Sequence, residues 1–186
     1  MRIFLKQLRP AATILLIMVV ICGVVYTAAM TGLIQLVFPH QANGSIITVT
    51  LKDGTKKDFG STLIAQEFTE PQYLIGRPMT VSNLSPTSDA QSKLVEQRVQ
   101  WFHDLDPGNT AEVPADLVTA SGSGVDPNIT PEAAEYQVTR IARTRNMSED
   151  AVRAVIKKYT TGRLLGFLGE PTVNVLKVNL ALDGLL

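Results

Sequence analysis

Between Pro10 and Leu51 the chain carries no Asp, Glu, Lys or Arg, and within that stretch Ala11 to Phe38 is dominated by apolar side chains. As a helix this run is about 40 Å long, more than the ~30 Å hydrocarbon core of a bilayer. It predicts a membrane-spanning segment that emerges near Gln35, Phe38 and Pro39. Gly23, Thr27 and Thr31 recur every four residues, with Ala28 and Gly32 beside them. They offer a small-residue face to which a second helix can pack, although Gly, Ala and Thr are common in spans generally. A cleaved signal peptide is the competing reading, because Thr27-Ala28-Ala29 resembles a processing site. Against it, apolar residues continue through Leu33, Ile34, Leu36 and Val37, beyond the length of a signal's apolar region.

Past the span the pattern changes to that of a folded domain. Ile46 to Leu51 is rich in β-branched residues and Lys52-Asp53-Gly54-Thr55 has turn chemistry, which predicts a strand and a turn. Between about Ala90 and His103, Val95, Val99 and Phe102 share one face of a helix, while Gln91, Lys93, Glu96 and Gln100 can meet water. Thr130-Pro131-Glu132 is a helix start, followed by the apolar stripe Ala134, Val138, Ile141 and Ala142. Ser148 opens another helix with Val152, Val155, Ile156 and Tyr159 on one side, after a break at or beside Asn146. From Asn174 to Leu182 the apolar residues Leu176, Val178, Leu180 and Leu182 alternate, which predicts a terminal strand. The expected class is α+β: one N-terminal transmembrane helix, then a single exported domain of helices packed on a small sheet.

Charge sets the expected orientation. Arg2, Lys6 and Arg9 precede the span with no acid among them, and no charged residue follows it until Lys52. The positive-inside tendency therefore makes residues 1–10 a cytoplasmic basic tail, 11–38 the transmembrane anchor and 39–186 an extracytoplasmic domain. The whole chain of 186 residues has 17 basic and 17 acidic side chains. That balance does not suit a nucleic-acid binder, which needs a basic excess or stripe. One cysteine, Cys22, and two histidines, His40 and His103, are too few for a disulfide framework or a Cys/His zinc site.

Candidate chemistry is sparse. Ser121-Gly122-Ser123-Gly124 has the composition of an anion-binding loop, yet lacks the ending of a phosphate-binding Walker loop. A turn leading through Asp126-Pro127 to the helix at Thr130 is the better reading. A nucleophilic serine needs a base; His40 lies at the exit of the span, and within the body of the exported domain the imidazole is His103, expected at the surface near a helix end. Asp104, Asp106 and Glu112 lack the spacing of a calcium loop and are expected as a solvated acidic loop. Arg140, Arg143 and Arg145 form a basic cluster suited to anionic lipid or a carboxylate, with a solvated face as the ordinary outcome. The Asn-x-Ser/Thr triplets at Asn43, Asn83, Asn128 and Asn146 matter only in a eukaryotic secretory pathway.

Several segments together resemble the C subunit family of the Kdp-type bacterial potassium-transporting ATPase. They are Leu8-Arg9-Pro10-Ala11 at the anchor start, Phe38 to Ser45 at its exit, Gly60 to Phe68 (GSTLIAQEF) and Tyr73 to Pro78 (YLIGRP). The most specific is Pro114 to Arg145, with the core VTASGSGVDPNITPEAA and Gln137, Arg140 and Ala142 after it. Leu168 to Pro171, Val173 to Leu176 and Asn179 to Asp183 complete the match, which covers almost the whole chain. Between Pro78 and Leu94 the chain departs from the family, which commonly carries a longer loop there; Met79-Thr80-Val81 leads straight to Ser82-Asn83-Leu84.

The resemblance implies a non-catalytic accessory subunit of an ATP-driven potassium uptake pump in a bacterial or archaeal plasma membrane. Its implied partners are a potassium-conducting membrane subunit, a P-type ATPase subunit, a small single-span subunit and membrane lipid. ATP and potassium are then handled by the complex, with no cofactor or metal held by this chain and no catalytic residue in it. The family is described as a catalytic chaperone of the ATP-hydrolysing subunit. An exported domain reaches cytoplasmic nucleotide only indirectly, through assembly or a conformational equilibrium. Ser121, Gly122, Ser123, Gly124, Asp126, Pro131 and Gln137 are expected to form an architectural or partner-contact loop, and Gly23, Thr27 and Thr31 the packing face of the anchor. The alternatives are an anchored exported enzyme using Ser121 and His103, or a soluble binding module.

Overall fold

The computed structural model describes residues 2–186. It separates into two compact units, one ending at Ser45 and one from Ile46 to Leu186. In the first, helix α1 (Arg2–Val19) continues through a π-helical segment (Val20–Tyr26) into α2 (Thr27–Val37), followed by the short α3 (Pro39–Ala42). Lys6–Val37 is long and apolar enough to cross a membrane, and none of its apolar face is buried by the rest of the chain. The wider π turn holds Gly23, so its spacing to Thr27 departs from the α-helical period. The Thr27 hydroxyl donates to the Cys22 carbonyl at 3.2 Å across this segment.

The second unit is α+β. Strands β1 (Ile46–Thr50) and β2 (Lys56–Ser61) pair antiparallel, with a register shift between Ile47 and Thr48. The turn between them closes through Asp53, whose carboxylate accepts the Thr55 hydroxyl and N–H; these bonds hold it below the usual carboxylate range. Helix α4 (Asp89–Leu105) starts where the Ser88 hydroxyl accepts the Gln91 N–H. Helix α5 (Ala115–Val118) and strand β3 (Asn128–Ile129) lead to α6 (Pro131–Glu135), α7 (Val138–Arg145) and α8 (Glu149–Lys158). Strands β4 (Thr160–Thr161) and β5 (Thr172–Asn174) form a hairpin, and β3 pairs with the other edge of β5 in an antiparallel order β3-β5-β4. Helix α9 (Val175–Leu182) follows directly. Phe102, Leu117, Ile129, Val138, Ile141, Val152, Val173 and Val178 meet in one core between the helices and this sheet.

The capped helix starts form as expected: Thr130 accepts the Ala133 N–H and Ser148 accepts the Ala151 N–H. The apolar stripe Ala134, Val138, Ile141 and Ala142 is buried, though a turn at Tyr136-Gln137 divides it between two helices. Asn146 makes the break before Ser148 in a left-handed conformation, φ 52°. The predicted terminal strand over 174–182 is a correction. That segment is helix α9, with a three-residue strand before it. The alternation arises because the helix is buried on two sides: Val175, Val178 and Leu182 enter the main core, and Leu176 and Leu180 are buried outside it. Asn174 decides the outcome locally by accepting the Lys177 N–H as an N-cap.

Between β4 and β5 the chain makes a tight turn with Leu165 at φ 54° and Gly166 at φ 84°. A leucine in the left-handed region is strained, and relief of that strain outweighs the added freedom glycine brings to the unfolded chain. Leu165→Gly is therefore expected to raise stability by about 0.5–1 kcal/mol, measured as a higher Tm with unchanged far-ultraviolet dichroism.

Candidate functional site

The family-like segments converge on one stretch of extended backbone, Tyr73 to Gly76. Asn179 from α9 accepts the Leu74 N–H at 2.7 Å and donates to the Leu74 carbonyl at 2.9 Å. Gln137, at the start of α7, repeats the arrangement one residue on: it accepts the Ile75 N–H at 2.9 Å and donates to the Ile75 carbonyl at 3.0 Å. Two buried amides thus replace the neighbouring strand that this segment lacks. Arg140 lies one helical turn beyond Gln137 and donates to Gln137 Oε1 and to the carbonyls of Pro71 and Tyr73. Its side chain is among the largest wholly buried in the domain.

Burial pushes the Arg140 guanidinium down to about 10, and the nearby Asp106 opposes that shift. It stays charged at neutral pH, compensated by carbonyl dipoles. The solvated arginine face expected from sequence is corrected accordingly. Arg145 donates to the carbonyls of Gln72 and Leu182 and pairs with Asp183 at 2.7 Å, packed over the Tyr73 ring. Burial, then the Asp183 charge, raises the Tyr73 phenol above its ordinary value. Only Arg143 is largely exposed, and it pairs with Asp106 at 2.7 Å. Asp106 is itself buried, contrary to a solvated acidic loop, while Asp104 accepts from Gln100. Among the described residues no group of three His, Cys, Asp or Glu is brought together.

The serine-glycine run is a self-contained turn. Ser121 Oγ accepts the Gly124 N–H at 2.9 Å and Ser123 Oγ accepts the Val125 N–H at 3.2 Å. Asp126 accepts the Asn128 N–H, turning the chain toward the Pro131 helix start. Gly122 is exposed, and the N–H groups of Gly124 and Val125 serve the turn rather than an anion. Gly124, at φ +70°, lies against Val81: an added Cβ would meet Val81 Cγ2 at 2.7 Å and its backbone N at 3.3 Å. Gly124→Ala is expected to cost about 1–3 kcal/mol through strain and overpacking, read by thermal denaturation. The shortened segment after Pro78 is therefore packed on the family-like loop.

His103 is exposed near the end of α4 and lines a cleft with Val95 and Thr119. Ser121 lines another with Val81 and Asn83, so the two groups form no nucleophile and base pair. A third cleft, of about 310 Å³, is bounded by Phe68, Arg77, Met79, Gln97, Arg98 and Trp101 beside the clipped segment. Arg77 Nη2 donates to Thr119 at 3.4 Å and Nη1 lies 3.8 Å from Asp116, while its buried Nε has no partner. Trp101 stacks edge-on against Phe102, ring centroids 4.9 Å apart. Sequence reading missed Asn179 and the Arg77–Asp116 contact as features of this region.

The family described as K+-transporting ATPase, c chain, matches residues 8–184. The chain is 51% identical to a potassium-transporting ATPase KdpC subunit from Listeria monocytogenes, over all of this chain and 99% of that protein. It is 50% identical to the KdpC subunit from Methylococcus capsulatus, over 97% of this chain and 99% of the relative. The counterpart from Clostridium perfringens is 47% identical over 201 aligned positions, with 98% and 99% covered.

Proposed function

We propose, because the chain belongs to the K+-transporting ATPase c chain family, that it is the accessory subunit of an ATP-driven potassium pump in a bacterial or archaeal plasma membrane. The observation that carries this reading is the extent of the match, which takes in both the apolar N-terminal helix and the folded domain. Its partners are a potassium-conducting membrane subunit, an ATP-hydrolysing P-type subunit and a small single-span subunit. ATP and potassium are handled by those chains. This one binds neither, and supports the hydrolytic subunit through assembly or a conformational equilibrium.

Residues 11–38 form the anchor, with the basic tail 1–10 in the cytoplasm and 39–186 on the outer side. Gly23, Thr27 and Thr31 pack against a partner helix. The loop from Ser121 to Asp126, with Pro131 and Gln137, is architectural: it shapes and holds the domain surface that the pump recognises. The internal hydrogen bonding of Ser121, Ser123 and Asp126 supports that assignment.

The test is a mild-detergent pull-down of the tagged chain from potassium-starved cells, with co-purifying proteins identified by mass spectrometry. Recovery with a P-type ATPase and a channel-like membrane subunit is expected; recovery alone, where other membrane complexes stay intact, would overturn the reading. Orientation is tested by single cysteines in a Cys22→Ser background. An impermeant thiol reagent should label Ser92→Cys and not Gln7→Cys, and the reverse pattern would invert the topology.

A further inference from the structure

The hairpin between β4 and β5 ends in a projection that the rest of the domain does not cover. Leu164, Leu165, Phe167 and Leu168 are 68%, 77%, 69% and 48% exposed, and every residue from Thr161 to Glu170 is exposed. Four large apolar side chains side by side on one turn are not scattered surface residues, and such a patch marks an interaction site. The backbone adds a second observation. Leu165 occupies a left-handed conformation that strains a leucine, at a position where glycine would be relaxed, so the side chain is kept despite its local cost.

We infer that this tip dips into the interfacial region of the lipid bilayer and steadies the domain against the membrane surface. The inference rests on the anchored reading of the chain. Three features select lipid as the occupant. First, only eight residues separate the end of α2 at Val37 from the start of β1 at Ile46. Covalent reach alone then keeps Ile46, the first residue of the domain, within roughly 30 Å of the end of the span. Second, the N–H groups of Leu164, Gly166, Phe167 and Leu168 all donate within the turn, at 2.8 to 3.3 Å. An apolar medium offers backbone donors no partner, so a tip that satisfies these four internally is better suited to it. Third, the tip stands on a charged neck. Arg163 and Glu170 pair across the hairpin at 2.8 Å, and Lys157 and Lys158 are exposed at the end of α8. An apolar end with cations behind it matches acyl chains beneath anionic headgroups.

The full chain, reconstituted in vesicles of phosphatidylethanolamine and phosphatidylglycerol, tests this with an environment-sensitive fluorophore on Leu165→Cys in a Cys22→Ser background. Emission should shift to the blue and most of it should be lost when lipids carrying a nitroxide high on the acyl chain are included. Ser92→Cys on α4 should show neither change, and Phe167→Cys should repeat the Leu165 result if the cysteine at position 165 disturbs the turn. A label on Val25→Cys reports the anchor: quenched there but not at either tip position, the span stands and the tip inference falls. A Val25 label untouched by the lipid quencher overturns the anchor, and the inference with it. A tip shielded from aqueous iodide only when the other pump subunits are present would assign it to a protein surface and overturn the lipid assignment.

Discussion

Arg140→Met is expected to remove roughly 3–5 kcal/mol of folding stability, the summed cost of leaving several buried carbonyl and amide oxygens without their charged donor. Methionine fills much of the space but offers no donor. The carbonyls of Pro71 and Tyr73 lose their only side-chain donor from α7, and Gln137 Oε1 loses one of its two. Denaturant unfolding followed through Trp101, the single tryptophan, measures the change. Arg153, which meets Glu135, Glu149 and Asp150 at the surface, is the control, and Arg153→Met should leave the midpoint nearly unmoved. Equal losses from both variants would show that the network around Tyr73 carries no special weight.

The same arginine makes a statement about pH. Its folded pKa is pushed down from the ordinary arginine value to about 10, because burial disfavours the charged form. The folded state therefore holds this proton less tightly than the unfolded one, and the cost of ionised burial is relieved only as pH rises through the folded value. Between about pH 6 and 9 both states keep the proton, so the stability difference between wild type and Arg140→Met should be flat across that window. A slope there would mean that another group titrates with the network.

Asn179→Ala is expected to cost about 2–4 kcal/mol, because it orphans both the N–H and the carbonyl of Leu74 in a dry interior. Asn179 and Leu74 are almost wholly buried, which leaves no water to substitute. Hydrogen exchange gives the direct reading: the Leu74 amide should lose protection far more than amides of α8. Gln137→Ala should do the same at Ile75. The double variant should lose less than the sum of the two, since both amides hold one segment and either loss frees it in part. An unchanged Leu74 amide in Asn179→Ala would break the link between this clip and the order of Tyr73 to Gly76.

What was legible beforehand and what was not divides by the range of the interaction. The signal for Asn146 and the caps at Ser88, Thr130, Ser148 and Asn174 is contained within a few residues, and three of these boundaries were read correctly from neighbours alone. The cap at Asn174 was outweighed by the alternation of Leu176 to Leu182, which fits a strand as well as a helix buried on two faces. The roles of Arg140 and Arg145 were misread for a different reason. The acceptors that draw them inward, the carbonyls of Pro71, Gln72 and Tyr73, lie some 67 to 73 positions away in the chain, and that of Leu182 lies 37 away. Nothing local distinguishes an arginine that faces water from one that reaches a distant carbonyl. The family-like stretches marked Gln137 and Asn179 without saying what either does.

By itself, then, the sequence determined the apolar span, its charge asymmetry, the helix starts at Thr130 and Ser148 and the family, because hydropathy, capping and motif identity are properties of short windows. The tertiary structure alone decided that two side-chain amides stand in for a missing strand, that the arginines turn inward and that α9 is a helix. It also decided that Leu164, Leu165, Phe167 and Leu168 face outward. Burial depends on which distant segments close over a residue, and nothing in this fold closes over that turn.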